Sequence, residues 1–286
     1  MRIIESVSEM QRLADTWRKQ GERITLVPTM GYLHQGHIEL MRAAREIGSK
    51  VVISIFVNPA QFAPNEDFES YPRDTERDIR MATEVEVDVA FLPQTREIYP
   101  DGYQTYVNVT EVTRNLCGRS RPVFFRGVAT VVAKLFHIVK PHAAVFGEKD
   151  FQQLITIKRM VKDLNLDITI VGHPTVREDD GLAMSSRNAY LKSEERPAAL
   201  RLNRSLGKAQ AMIDAGERDC EAILDTLKNY LASAGCAQID YVQLCHPETL
   251  EDVARIEGAT LLAMAVWVGK TRLIDNRMLQ LPHGEE

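Results

Sequence analysis

The alternation of two hydrophobic periodicities over about the first 175 residues constrains the fold of this chain more than any other feature. Five short runs are apolar and rich in β-branched residues, as buried strands are: 24–29, 51–57, 87–92, 143–147 and 167–172. Segments with helical spacing lie between most of these runs. Strands that alternate with helices in this way predict a parallel sheet that is covered by helices on both faces.

Two of the helical segments carry specific signals. Ser6 and Glu9 have the spacing of a capping box, which predicts a helix that runs to about Gln20. Residues 151–164 place five apolar side chains on one helix face: Leu154, Ile157, Met160, Val161 and Leu164. Further helices are predicted directly after His37, over 74–84 and over 128–139.

The pattern changes after about residue 180. Two helical segments are followed by three strand-like segments that predict a small antiparallel sheet: 194–213 and 220–235, then 238–245, 260–269 and 271–277. We therefore predict an α/β domain over residues 1–180 and a smaller α+β domain over residues 181–286. The last four residues, 283–286, are expected to fray.

Composition limits the kinds of partner. The chain has 35 Lys and Arg against 40 Asp and Glu, and a net charge of −5 provides no basic surface for nucleic acid. The cysteines form no C-x-x-C pair, so we expect free thiols at Cys117, Cys220, Cys236 and Cys245. The N-terminus does not resemble a signal peptide, and no apolar run approaches 18 residues. These features favour a cytoplasmic protein that binds neither membranes nor nucleic acid.

The first predicted strand runs into the sequence GYLHQGH and then into a helix. Ligands of open parallel sheets bind beyond the carboxyl ends of the strands, and a helix N-terminus there presents unpaired N–H groups to a phosphate. His34 and His37 lie three residues apart and can face the same side of the first helical turn. The alternative is that these histidines are surface or N-capping residues. No P-loop or G-x-G-x-x-G motif occurs in the chain.

Three further loops carry candidate polar side chains. Asn58 and Gln61 follow the second strand, where their amides suit a hydroxyl-rich or acidic substrate or merely form an Asn-Pro turn. Lys149 follows the fourth strand as a phosphate ligand or a solvated lysine, next to Asp150, a good N-cap. Residues 185–187 (Ser-Ser-Arg) can wrap a polyphosphate or form an ordinary turn.

The next helix begins with Gln152 and Gln153, and one of these two glutamines is expected to point into a ligand pocket.

These stretches, in this order, resemble the pantothenate synthetase (pantoate–β-alanine ligase) family over nearly the whole chain. The resemblance is carried by PTMGYLHQGH, SIFVNPAQF, FFRGVATVVAKLF, FGEKDFQQL and GLAMSSRNAYL. The H-x-G-H motif alone would indicate only the wider nucleotidyltransferase superfamily that includes class I aminoacyl-tRNA synthetases.

The resemblance implies a two-step reaction. ATP and pantoate give pantoyl adenylate and pyrophosphate with the help of Mg²⁺, and β-alanine then attacks the adenylate to give pantothenate and AMP. It also implies a Rossmann-like N-terminal domain, a C-terminal lid domain and a cytoplasmic homodimer.

The resemblance also implies residue roles. His34, His37, Lys149, Ser185 and Ser186 match catalytic positions, and Gln61 and Gln153 match the glutamines that hold pantoate. The nucleotide-binding positions form three groups: Met30, Gly31, Tyr32, Leu33, His34, Gln35, Gly36 and His37; Gly147, Glu148, Lys149 and Asp150; Val176, Met184, Ser185, Ser186 and Arg187. The resemblance assigns no metal ligands.

One position departs from the family pattern. The family usually has P-G-H-F before the sequence RGV, whereas Val123 and Phe124 replace the glycine and the histidine here. We expect a penalty in substrate binding or rate, without loss of function.

Three alternatives are open from the residues alone. The first is a nucleotidyltransferase that joins a nucleotide to a phosphorylated substrate and uses no amine. The second is a tRNA-charging protein, which the slight excess of acidic residues over 181–286 disfavours. The third is a nucleotide sensor without activity, which the full set of candidate catalytic residues disfavours.

Overall fold

The chain divides into two compact units in the computed structural model, which describes residues 1–64, 66 and 68–282. The first unit comprises residues 1–109, 121–148 and 153–174. The second comprises residues 110–120, 149–152 and the chain from 175 onward. The functional division into a catalytic domain at 1–180 and a lid domain at 181–286 stays a prediction. The fraying expected at 283–286 lies outside the described residues.

A parallel sheet of six strands forms the centre of the first unit. Its strands are β1 (Arg2–Ile4), β2 (Ile24–Thr29), β3 (Lys50–Ile55), β4 (Val89–Phe91), β5 (Ala143–Gly147) and β6 (Thr169–His173). Their order in the sheet is β1-β4-β3-β2-β5-β6, and every pair is parallel. The predicted parallel sheet is confirmed. The short strand β1 was missed because three residues at a sheet edge carry too little pattern.

The helices of the chain follow in order: α1 (Val7–Lys19), α2 (Gln35–Ile47), α3 (Thr75–Glu84), α4 (Thr95–Ile98), α5 (Cys117–Ser120), α6 (Phe124–Val139), α7 (Phe151–Asp163), α8 (Arg196–Asp214) and α9 (Cys220–Ala232). Short 3₁₀ turns cover Pro59–Gln61, Glu148–Asp150 and Ser186–Tyr190. Helices α1 and α6 pack against each other, and α6 also contacts β2. Helix α2 packs against β2, β3 and β5, and it also contacts α3.

Strand β2 shows why the sheet has two cores. Ile24 and Leu26 belong to the apolar cluster that contains residues of α1 and α6, whereas Val27 belongs to the cluster that contains residues of α2. Because successive side chains of a strand point to opposite faces, the near-continuous apolar run buries both faces of the sheet. This arrangement confirms helices on both sides.

Two local predictions are wrong. Ser6 is the N-cap of α1, but its hydroxyl pairs with Ser8 (3.0 Å) and makes no capping bond, while Glu9 binds Arg2 (2.7 Å). The capping box therefore does not form, because both side chains have other partners. Leu164 lies one residue beyond α7 and is 52% exposed, so it leaves the apolar face on which Leu154 and Met160 are buried.

The second unit contains α5, α8 and α9 and an antiparallel sheet of order β7-β8-β9: β7 (Ala237–Cys245), β8 (Thr260–Val268) and β9 (Thr271–Leu279). Its own apolar core includes Leu202, Leu227 and Met264. The predicted α+β character is confirmed, and so is the α/β fold class of the chain. All four cysteines are free thiols. Among the described residues, none of the helices combines the length and apolarity that crossing a bilayer requires.

Candidate active site

The strand order places a topological switch point between β2 and β5. From β2 the chain continues outward through β3 to β4, whereas β5 and β6 lie on the other side of β2. The loops that leave β2 and β5 therefore diverge from neighbouring strands, which opens a crevice at the carboxyl edge of the sheet. Residues 30–34 form the first of these loops and lead into α2, and the second begins at Glu148, directly after Gly147 of β5.

His34 and His37 lie together at the start of α2. His34 is the N-cap, and the centroids of the two half-buried imidazole rings are 4.0 Å apart. The backbone N–H of His34 donates to Nδ1 of His37 (3.2 Å). Since Nδ1 accepts this hydrogen bond, the neutral His37 ring carries its proton on Nε2. His37 can therefore cap the helix and bind a ligand at the same time, because capping uses its Nδ1 atom and leaves its Nε2–H group for the ligand.

The loop before α2 has a left-handed backbone at Gly31 (φ 80°) and Tyr32 (φ 49°). Gly31 and Leu33 are buried, Gln35 is exposed and donates to Glu39, and Met30, Tyr32 and Gly36 are half-buried. The side chain of Leu33 belongs to the apolar core, so it is not available to a ligand.

Asp78 of α3 binds this loop, which the sequence analysis did not predict. Its two carboxylate oxygens accept the N–H groups of Tyr32 and Leu33, both at 2.7 Å. Burial raises the pKa of the Asp78 carboxyl, against the opposing effect of these two hydrogen bonds. A signal was present in the sequence, because Asp78 precedes buried Ala82 by four residues and shares its helix face.

Gln61 is held in place by Asn58. The Asn58 amide nitrogen donates to Oε1 of Gln61 (2.9 Å) and to the carbonyl of Gly127 (3.1 Å), while Tyr99 donates to Oδ1 of Asn58 (2.9 Å). Asn58 is therefore saturated by the protein and orients Gln61. Because Oε1 of Gln61 accepts from Asn58, the Gln61 Nε2 group faces away from this contact.

Helix α6 packs closely against the Gln61 turn. A Cβ atom at Gly127 would lie 2.1 Å from the carbonyl oxygen of Ala60, so only glycine permits this approach.

Phe124, which replaces the histidine of the family pattern, is the first residue of α6. The guanidinium carbon of Arg121 lies 3.9 Å from the Phe124 ring centroid, and Arg121 donates to the Gln61 carbonyl (3.0 Å) and to Glu66. Val123 is exposed with φ −94°, a conformation that does not require glycine.

In the second unit, residues 176–184 form a tight antiparallel turn. The Met184 N–H donates to the Val176 carbonyl (3.0 Å), and the Glu178 N–H donates to the Leu182 carbonyl (2.8 Å). The predicted adenine contact is thus adjacent to the predicted phosphate loop. The hydroxyl of Ser185 caps the following 3₁₀ turn by accepting the Arg187 N–H (3.2 Å).

Ion pairs support this turn within the second unit. Arg196 binds Glu178 and Asp180, and its hydrogen bond lowers the pKa of the Asp180 carboxyl. Asn188 donates to Glu178 (2.6 Å), and Arg177 binds the buried carboxylate of Asp275 (2.8 Å).

Lys149 belongs to the second unit and is mostly buried. Its carbonyl accepts from Asn276 (2.8 Å), and its ammonium lies 3.9 Å from exposed Asp150. Gly147 and Glu148 are half-buried residues of the first unit.

The structure distinguishes Gln152 from Gln153. Gln152 is buried, its Nε2 donates to the carbonyls of Val112 (3.0 Å) and Asn115 (2.7 Å), and its Oε1 accepts the Cys117 N–H (3.0 Å). Gln152 therefore holds the segment before α5. Gln153 is only half-buried, which leaves it as the candidate ligand contact.

Comparison with known proteins identifies the family. The family model described as pantoate-beta-alanine ligase matches residues 2–278. The chain belongs to the pantoate-beta-alanine ligase family. It is 65% identical to the pantothenate synthetase of Syntrophobacter fumaroxidans, over 98% of this chain and 99% of that protein. It is 56% identical to that of Geobacter sulfurreducens over 100% of both chains.

Solved pantothenate synthetases share the fold of this ligase. The enzyme of Thermus thermophilus is 42% identical with a TM-score of 0.92, over 99% of this chain and 100% of that one. The ligase of Francisella tularensis, complexed with beta-gamma ATP and beta-alanine, is 35% identical with a TM-score of 0.82, over 97% of both chains. The predicted family and enzyme class are confirmed, and the chain is a ligase of pantothenate biosynthesis.

Proposed function

We propose that the enzyme forms pantothenate from pantoate and β-alanine at the expense of ATP, through pantoyl adenylate. In the first step a pantoate carboxylate oxygen attacks the α-phosphorus of ATP, and pyrophosphate leaves. In the second step the amine of β-alanine attacks the acyl carbon, and AMP leaves. Family membership and the ATP and β-alanine of the Francisella tularensis ligase support this assignment.

The observation that carries the proposal is the histidine pair at the start of α2, beside the switch point of the sheet. Negative charge develops on the phosphates when the carboxylate attacks. The His37 Nε2–H and the helix N-terminus are donors of the kind that stabilise such charge. His34 and His37 are therefore proposed to bind the phosphates, with His37 as the proton donor.

The remaining nucleotide contacts are proposed from the family pattern. Lys149, Ser185, Ser186 and Arg187 offset the charge of the triphosphate, while Val176 and Met184 contact adenine. The turn that joins Val176 to Met184 supports a shared role for these two residues.

Pantoate is proposed to bind Gln61 and Gln153. Because Oε1 of Gln61 is occupied by Asn58, Gln61 offers its two N–H donors to an oxygen of pantoate. Gln61 is also proposed to lie near β-alanine.

Magnesium has no dedicated cage in the part of the chain that the structure describes, where no three His, Cys, Asp or Glu residues are grouped to hold a metal ion. We propose that Mg²⁺ enters with ATP, since this ion is often held by phosphate oxygens and water. When bound, it would neutralise phosphate charge. A homodimer and a cytoplasmic location are proposed from the family resemblance.

The test of the proposed site is His37→Ala. Loss of a donor to the transition state should lower pantoate-dependent ATP–pyrophosphate exchange by about a hundredfold or more. His137→Ala is the matched control, because His137 lies on the exposed face of α6 and should keep full activity. Unchanged exchange in His37→Ala would refute the assigned role.

A second assay, which measures AMP release, distinguishes the ligase from a simple nucleotidyltransferase. The ligase releases AMP only when ATP, pantoate and β-alanine are all present, whereas a simple nucleotidyltransferase gives none.

A further inference from the structure

Asp78 is a buried carboxylate whose partners are backbone groups of the loop that precedes His34. It is only 1% exposed, and it accepts two N–H groups at 2.7 Å from residues 45 and 46 positions away in the chain. Burying a carboxylate is costly unless it is hydrogen-bonded, so such a residue usually serves a specific purpose.

The two amides that Asp78 binds are consecutive. The backbone is left-handed at Gly31 and Tyr32, and the N–H groups of Tyr32 and Leu33 both point to the Asp78 carboxylate. The protein thus satisfies both donors with its own carboxylate. These two amides are consequently not the donors that bind ATP.

The loop approaches the Asp78 carboxylate so closely at Gly31 that it leaves little room for a side chain there. A Cβ atom at Gly31 would lie 3.0 Å from Oδ2 of Asp78 and 3.0 Å from Ile55. Leu33 is anchored in the core on the other side of the turn. The next residue in the chain is His34, which begins the capping arrangement of α2.

We propose that Asp78 is a positioning residue of the ATP loop: by holding the Tyr32 and Leu33 amides it fixes where α2 begins and how His34 and His37 face the phosphates. This inference rests on the proposed phosphate-binding role of the two histidines. Asp78 itself touches no substrate. Its removal should therefore affect ATP more than the other substrates.

The test is Asp78→Asn, which keeps the shape but presents an NH₂ group to one of the two N–H donors. The KM for ATP should rise about tenfold or more, while the KM for β-alanine stays within about twofold. A purely structural role would reduce the amount of active enzyme and leave every KM unchanged. Glu76→Gln is the matched control, because it removes an exposed charge from the same first turn of α3.

Hydrogen exchange gives a readout without turnover. The amides of Tyr32 and Leu33 should exchange at least about tenfold faster in Asp78→Asn than in Glu76→Gln. If Asp78→Asn does not fold, Gly31→Ala perturbs the same contact from the loop side and should raise the ATP KM. An unchanged ATP KM and unchanged exchange would overturn the inference. Full adenylation activity in His37→Ala would instead refute the proposed phosphate-binding site, which is a different outcome from an unchanged Asp78→Asn enzyme.

Discussion

Neighbouring glutamines at the start of α7 have different environments. Gln152 satisfies three backbone groups of residues 112–117, whereas Gln153 makes no such contact within the described part of the chain and is half-buried. The residues alone left open which of the two glutamines contacts a ligand, and the family resemblance pointed to Gln153. The difference arises because partners some 40 positions away are invisible to local pattern.

This difference predicts opposite phenotypes for the two alanine variants. Gln152→Ala leaves buried backbone groups unpaired and should lower the free energy of unfolding by at least about 2 kcal/mol. Gln153→Ala should leave stability within about 0.5 kcal/mol and raise the KM for pantoate about tenfold. Urea unfolding and steady-state kinetics on both proteins check this. Equal effects in both assays would contradict the assignment.

Phe124 illustrates a departure that the structure accommodates. Its ring packs on Arg121, and Arg121 in turn holds the carbonyl of Gln61. The replaced imidazole thus gives way to a cation–π contact beside the proposed pantoate residue. The expected penalty in binding or rate stays a prediction.

At the scale of elements, the packing of α6 on the Pro59–Gln61 turn depends on a missing side chain. Gly127 lies in the first turn of the largely buried helix α6, although glycine has a low helix propensity. The carbonyl of Gly127 also accepts a hydrogen bond from Asn58, which holds Gln61. The same helix turn therefore allows the close approach of the Pro59–Gln61 turn and helps to orient it.

Two glycine-to-alanine changes in helices should therefore have opposite signs. Gly127→Ala forces Ala60 away and should destabilise the protein by about 1–3 kcal/mol, with a higher pantoate KM. Gly207→Ala in α8 meets nothing within 4 Å and should stabilise the protein by up to about 1 kcal/mol. Thermal unfolding of both variants measures this. A stabilised Gly127→Ala would show that the close approach is unimportant.

At the scale of the whole molecule, one histidine links stability to pH. Nδ1 of His142, the residue before β5, accepts the N–H of Ile24 at the start of β2 (3.0 Å). Burial, and then the charges of Arg18 and Arg23, lowers the pKa of His142 below its usual 6.5. The central strands are thus joined by a bond that needs an unprotonated Nδ1.

The sign of the pH effect follows from linkage. Below about pH 6.5, His142 becomes protonated in the unfolded chain at a higher pH than in the folded chain, because folding lowers its pKa. The free energy of unfolding therefore falls as the pH drops. His142→Gln keeps an acceptor but does not titrate. Urea unfolding at about pH 7.5 and about pH 5.5 should show a larger loss for the wild type than for this variant. An equal loss of unfolding free energy in the wild type and in His142→Gln would exclude His142 as the source of the pH dependence.

The amino-acid sequence by itself determined the strand–helix alternation, the order of the elements and the family, because hydrophobic periodicity and contiguous motifs are local properties. It also placed His34 and His37 at a strand-to-helix junction, where the structure has them. Only the tertiary structure decided that Asp78 binds the Tyr32 and Leu33 amides before α2 and that Gln152 is structural. Both outcomes depend on hydrogen bonds between residues that are far apart in the chain. Such residues come close to each other only after the helices and strands have packed.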